Sequence, residues 1–357
     1  QLRGEALLLD RNEVGAVQTS ACGTPLWVVR ALGVEESVLQ VHDRLVLRTP
    51  GRTVVYDLSD VPFCTFDYKK FCQGLLAQCR VRFLRTGVTG LAGSGVETAD
   101  GRFSAPLLVD CSGWRGALVN GGAATLPANG AFSFGIETKA PTVDQGLFFW
   151  LDSRVIPKGM AWFFPVAEGS LIGLGSYAGD TKLGSRLRRF LETFRVGPAR
   201  YHGAYFPNAL RPATVGKVFA VGDAAGHCLP LTAEGIRPAL FFGQECGKIV
   251  QGILDGGLSH REGLVFYRRF VDRYRWAYRW LRRVQGLAVL APSRWLGALA
   301  LLANRPRFRT RWWPRYGLFG PLDSSGPIAP DSFPRVQGSP RSWAPEEGER
   351  VTAGGYF

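Results

Sequence analysis

The residues best placed to do chemistry form one ordered run, Val218-Phe-Ala-Val-Gly-Asp-Ala-Ala-Gly-His-Cys-Leu-Pro-Leu-Thr-Ala-Glu-Gly-Ile236. An apolar strand delivers Gly222, whose missing side chain lets a ligand approach the backbone closely. Asp223 follows at the strand's carboxyl end, where ligands bind in open α/β sheets. Ala224 to Gly226 are small and leave room. Thr232 to Ile236 then opens a helix, whose free N–H groups and positive end favour an anion. A plain strand–turn–helix would use some of these features; the whole ordered set points to a ligand.

A second run, Pro157-Lys-Gly-Met-Ala-Trp-Phe-Phe-Pro165, is apolar and bounded by prolines. On a strand, Met160, Trp162 and Phe164 share one face because side chains alternate. They would make a wall for a lipid tail or a flat ring, or simply sheet core. Two further apolar runs end in a carboxylate: Ala6 to Asp10, followed by Arg11, and Leu107 to Asp110, followed by Cys-Ser-Gly113. Such a carboxylate is where a dinucleotide fold holds a ribose hydroxyl. Cys22 and Gly23 lie in the run Thr19-Ser-Ala-Cys-Gly-Thr-Pro-Leu26. His227 has no visible partner and reads as a packing residue, and metal binding finds no support in the sequence.

Together these runs resemble the flavoprotein group that includes aromatic hydroxylases, flavin halogenases and geranylgeranyl reductases. In that group a G-D-A-A segment followed by P-x-x-G-E-G-I binds FAD. The resemblance implies that Asp223 holds the ribityl chain, that the backbone of Glu234, Gly235 and Ile236 approaches the isoalloxazine, and that Gly222 and Pro230 belong to the same cofactor site. Ala233 stands where the pattern usually has glycine. A reduced flavin is negative on its pyrimidine side, which a helix N-terminus would favour. The Met160–Phe164 run is similar to the P-x-x-Y-x-W-x-F-P signature of geranylgeranyl reductases, with Met160 replacing Tyr, and less closely to the W-x-W-x-I-P of halogenases. A halogenase would use a lysine in the first part of the chain, and none occurs between Gln1 and Asp67.

By the same resemblance, Cys22 and Gly23 lie near flavin or substrate, and Asp10, Arg11, Asp110 and Gly113 belong to the adenine and pyrophosphate half of the site. Cys22, Trp162 and Phe164 become catalytic candidates, and Met160, Trp162 and Phe164 substrate-binding ones. The implied reaction is hydride transfer from reduced FAD to C=C bonds of a polyprenyl substrate, with NAD(P)H or ferredoxin as electron donor. A flavin monooxygenase or halogenase acting on an aromatic compound and a non-catalytic remnant remain open. The group opens with a strand and G-x-G-x-x-G that grip the pyrophosphate. No such motif precedes Asp10, and Gly15 and Gly121-Gly122 do not fit it. With Gln1 first and a single methionine at Met160, the expectation is a chain lacking that strand and loop.

The elements that must position these residues follow from composition and pattern. The 357 residues are 46% hydrophobic and 20% charged, which excludes a disordered, collagen-like or coiled-coil chain. No apolar run reaches the ~20 residues of a spanning helix. Strand and helix segments bracket a β-rich middle from Ala131 to Tyr177. The predicted fold is α/β: a Rossmann-like FAD-binding parallel sheet without its first strand, interrupted by an antiparallel β substrate domain, plus C-terminal helices. The expected domains are a discontinuous FAD-binding unit (1–37, 63–118 and 205–256), the substrate unit (38–62 and 119–204), basic aromatic helices (257–316) and a disordered tail (317–357). Seven scattered cysteines argue against a disulfide framework and for a reducing compartment.

Charge is concentrated. The net charge is +14, yet between Ser259 and Tyr316 fourteen arginines face only Glu262 and Asp272. A segment of that kind is either a solvated helix face or the partner of an anionic surface. Arginine mixed with tryptophan suits a membrane interface, so the expectation is a cytoplasmic protein, peripheral at the inner membrane face. No nucleic-acid module is recognisable, and no nucleic acid is expected as partner.

Overall fold

Residues 4–120, 132–142, 144–197, 200–291 and 293–309, with Tyr316, Gly320 and Leu322, are described by a computed structural model. Alternating aromatic and small residues build its largest element, a seven-stranded sheet. Its strands are β4 (Arg44–Thr49), β5 (Arg52–Asp57), β12 (Phe132–Ala140), β13 (Leu147–Trp150), β14 (Gly159–Pro165), β15 (Ser170–Ser176) and β16 (His202–Pro207). The order is β16-β12-β15-β14-β13-β4-β5. Every pair is antiparallel except β13 with β4, which run parallel. One face packs against α3 (Gly184–Glu192), where Leu187, Phe190 and Leu191 meet Ile136, Phe163, Ile172 and Leu174.

The parallel part is made of two separate pieces. β1 (Ala6–Asp10) pairs with β7 (Val81–Arg85), and β11 (Leu108–Asp110) pairs with β18 (Val218–Ala220), which β17 (Thr214–Val215) joins antiparallel. Leu7 and Leu8 of β1 and Val109 of β11 are exposed, although runs this apolar fit strands covered on both faces. A small sheet of β2 (Gly23–Pro25), β6 (Phe63–Phe66) and β3 (Val38–His42) carries α1 (Leu26–Ala31) and α2 (Tyr68–Ala77). Asp67 caps α2 by accepting from Lys70 N at 2.9 Å. β8 (Val88–Ala92), β9 (Gly95–Thr98) and β10 (Gly101–Ser104) form an antiparallel meander.

α4 (Ile236–Leu254) covers β18, with Phe242 and Ile249 packed among Phe219 and the Tyr267 ring of α5 (His260–Asp272). α5 begins with a capping box of Ser259 and Glu262. α6 (Arg275–Leu290) and α7 (Ser293–Asn304) follow. α7 lies on β5: the Tyr56 hydroxyl donates to Ala300 O at 2.9 Å, and Asn304 Nδ2 to Val55 O at 2.8 Å. Among the described residues no helix is long and apolar enough to cross a membrane.

The predicted α/β class and its mixture of parallel and antiparallel sheet are the observed ones. Two details differ from the expected layout. β3 joins β6 and β2 instead of the large sheet, its register broken by a bulge between Val38 and Gln40. β16 carries the antiparallel sheet on to Pro207, because Phe132 pairs with Pro207. The tail expected to be disordered lies, apart from Gly320 and Leu322, outside the described residues.

Candidate functional site

A cavity of about 2260 Å³ opens between the large sheet, the β18–α4 connection and helices α6 and α7. Strand alternation decides what faces it: Met160, Trp162 and Phe164 of β14 line the cavity, while Ala161 and Phe163 enter the core beneath α3. The indole of Trp162 fits because neighbouring strands present glycines; a Cβ on Gly173 would collide with the ring, and one on Gly175 would stand 3.3 Å from it. Trp162 Nε1 donates to Glu137 Oε2 on β12 at 2.7 Å. His202 of β16 stands on the other side, its Nε2 3.5 Å from Glu137 Oε1. Three strands of the sheet, β14, β12 and β16, thus bring tryptophan, glutamate and histidine together along the wall, with β15 passing between the first two.

Across the cavity, β18 ends at Ala220, and two residues on Gly222 adopts φ 66°, a left-handed turn that glycine takes without steric cost. Gly222 N donates to His227 Nδ1 at 3.1 Å, and His227 N donates back to Gly222 O at 3.0 Å. The ring is fully buried against Phe242, and burial pushes its pKa down to about 3. His227 is therefore a neutral packing residue that shapes the turn, as the sequence predicts. Asp223 faces the cavity, and burial pushes its carboxyl up to about 6, with the Arg211 guanidinium pulling the other way. Among the described residues no hydrogen bond reaches that carboxylate. α4 begins beyond Gly235 without a side-chain cap, and Thr232 to Ile236 line the cavity beside Asp223.

Glu234 borders the cavity, and its carboxylate is already engaged. Arg237, fully buried, donates Nε to Oε1 and Nη2 to Oε2, both at 2.7 Å. The Tyr316 hydroxyl donates to Oε2 at 2.7 Å, and Arg237 Nη1 donates to Tyr316 O at 2.7 Å. This closed set satisfies a buried charge pair and fixes the start of α4.

No family model matches the sequence. Over 135 residues the chain is 30% identical to the digeranylgeranylglycerophospholipid reductase of Methanothrix thermoacetophila, covering 35% of this chain and 34% of that one. The same enzyme of Methanococcus aeolicus is 26% identical over 152 residues, 38% of either chain. The matched stretch thus spans about a third of the length of these curated relatives. A geranylgeranyl bacteriochlorophyll reductase-like protein from Thermoplasma acidophilum superposes with a TM-score of 0.76 at 15% identity, over 84% of this chain and 85% of that one. The chain shares the fold of that reductase-like protein. HpxO of Klebsiella pneumoniae, complexed with FAD and uric acid, superposes with a TM-score of 0.65 at 15% identity, over 89% and 98% of the two chains.

The residues that this fold brings to the cavity fit the ribityl and ring half of FAD. A desolvated carboxylate without a donor suits polyol hydroxyls. Gly222 leaves open space, since a Cβ there would meet only Ala239 Cβ at 3.6 Å. The uncapped start of α4 offers N–H groups and a positive end. Gly23, Gly113, Gly235 and Ile236 also line the cavity.

Other candidates are placed elsewhere. Asp10 and Arg11 are exposed at the end of β1, outside the cavity lining, with Asp10 accepting from Asn12 N at 2.8 Å. Asp110 is buried and spent on its own loop: Ser112 N and Oγ donate to Oδ1, and Leu118 N and Val119 N donate to Oδ2 at 2.8 and 3.0 Å. Pro230 is buried behind the lining residues. Cys22, the expected catalytic thiol, is fully buried among Val29, Cys64 and Phe66, and its Sγ contacts Ser20 O at 3.2 Å. Burial raises its pKa well above the ordinary thiol value, so it holds its proton. Its neighbours Ser20, Ala21 and Gly23 line the cavity, and Cys22 itself does not. Glu137 and His202 escaped the sequence reading because they belong to no motif; the available signal was a lone carboxylate inside the otherwise uncharged stretch Phe132–Thr138.

Proposed function

We propose that this chain is an FAD-dependent oxidoreductase that saturates C=C bonds of a polyprenyl substrate. One observation carries the reading: a single cavity joins Asp223 and the start of α4 to the wall of Met160, Trp162 and Phe164. The likeness to the geranylgeranyl reductase-like structure and to the archaeal reductases supports it. Bound FAD, reduced by NAD(P)H or ferredoxin, supplies the hydride. Asp223 accepts hydrogen bonds from the ribityl hydroxyls, and the N–H groups at the start of α4 offset negative charge on the ring. Met160, Trp162 and Phe164 orient the apolar chain and exclude water. Glu137 fixes Trp162 through Nε1, and its Oε1 stands 3.5 Å from His202 Nε2. The ring's other nitrogen, Nδ1, delivers a proton to the alkene carbon that does not receive hydride. The π bond breaks, two C–H bonds form, and His202, 41% exposed, is reprotonated from solvent.

The test begins with FAD titration of the purified chain, read by visible absorbance and by protein stability. Anaerobic incubation of the reduced flavoprotein with a geranylgeranyl lipid should then raise the product mass by one pair of hydrogens per reduced bond. A protein that takes up no flavin defeats the proposal. The fold likeness to PqsL of Pseudomonas aeruginosa, described as a probable FAD-dependent monooxygenase, supports a second reading, monooxygenation of an aromatic compound. Oxygen-dependent NADPH consumption, with no anaerobic prenyl reduction, would select it.

A further inference from the structure

We propose that α6 and α7 dock this protein on an anionic bilayer surface, with the mouth of the cavity turned to the lipid. At 3.6 residues per turn, Trp276, Trp280, Arg283, Leu287 and Leu290 fall on one stripe of α6. The opposite stripe holds Tyr278 and Gln285, both buried. The stripe faces solvent: Trp276 is 74% and Leu290 81% exposed. A helix on an ordinary protein surface reverses this arrangement and puts charge outward. α7 repeats the anomaly with Trp295, Leu299 and Leu302, all exposed. From Trp276 to Leu290 the stripe is about 21 Å long, suited to lying in the plane of a bilayer surface.

Charge selects the kind of surface. Arg279, Arg282, Arg283, Arg305 and Arg307 are exposed around the apolar stripes. Neither α6 nor α7 contains an acidic residue. The acids nearest in the sequence are engaged, Glu262 with Ser259 and Asp272 with Arg275. Acyl chains accept the tryptophan and leucine side chains, and anionic head groups pair with the guanidinium fringe. Nucleic acid would match the arginines and leave the apolar stripe unused.

The same two helices border the cavity, through Trp280, Leu281 and Val284 on one side and Leu299 and Leu302 on the other. A lipid tail would thus pass from the bilayer into the cavity without crossing water. Docking stands apart from the flavin chemistry; only the delivery of a polyprenyl chain rests on the proposed function.

The experiment is flotation of the whole chain with phosphatidylcholine vesicles, with and without phosphatidylglycerol. Binding is expected only with the anionic lipid, together with a blue shift of tryptophan fluorescence. The pair Arg282→Glu/Arg283→Glu and the pair Trp276→Ser/Leu290→Ser should each weaken it by at least about tenfold. All four positions are exposed, so circular dichroism and thermal unfolding should match the parent. Absence of flotation, or flotation unchanged in both pairs, overturns the proposal. So does duplex DNA binding that needs the arginines, ignores Trp276→Ser/Leu290→Ser and comes without vesicle binding. Flotation without FAD uptake supports docking while removing the proposed function; FAD uptake without flotation overturns docking alone.

Discussion

Ala233 occupies a left-handed conformation, φ 55°, in the turn before α4. A side chain there costs about 1–2 kcal/mol, which explains why the related pattern usually places glycine at this point. Ala233→Gly should stabilise the protein by under about 1 kcal/mol once the extra freedom of glycine in the unfolded chain is subtracted. Urea denaturation would read it. Asp223 carries the opposite lesson, a cost retained for a ligand. Its carboxyl is raised to about 6, so the folded state binds the proton more tightly than the unfolded chain. Stability from this group is present at low pH and lost as pH climbs from about 4 through 6. Asp223→Asn should therefore stabilise the flavin-free protein at neutral pH by no more than about 3 kcal/mol, reduced by water entering the cavity. The gain should fade at pH 4, and FAD affinity should fall. Glu137→Gln keeps an acceptor for Trp162 while removing the charge beside His202. Under the proposed function it should lower kcat by roughly a hundredfold, leave FAD affinity unmoved and change the pH profile of turnover.

At the level of elements, the face presented by β14 was legible because alternation leaves Met160, Trp162 and Phe164 no other shared side. Their partner was not: Trp162 meets Glu137 across β15, and that neighbourhood comes from strand order rather than from local sequence. Asp110 shows the matching limit. A carboxylate ending an apolar strand looks the same in sequence whether it holds a ribose or, as here, the N–H groups of its own loop. The Gly222–Ile236 segment was readable since its turn, carboxylate and helix start are contiguous. β15 contributes through what it lacks. Gly173→Ala would drive a methyl into the Trp162 ring and should cost about 1–3 kcal/mol, with a lower melting temperature and altered indole fluorescence as the readouts.

For the whole molecule, the concentration of arginine in the last helices was plain from composition. The outward turn of their tryptophans and leucines was not, because an amphipathic pattern shows that a helix has two faces without saying which is buried. Only the packing of Tyr278 and Gln285 against the protein decides it. The division of the parallel strands into two sheets was equally hidden, since each short apolar run is compatible with any neighbour.

The one parallel pairing in the large sheet also governs how the chain reaches this structure. β13 meets β4 with Leu147 opposite Leu45, across a separation of about a hundred residues. β14 and β15 are joined by a tight turn and pair locally. Closing so long a loop is entropically slower than forming a hairpin. In pulse-labelled hydrogen exchange during refolding, amides of β14 and β15 should gain protection before those that link β13 to β4. The cavity wall would then exist, half assembled, before the strands at its far edge arrive.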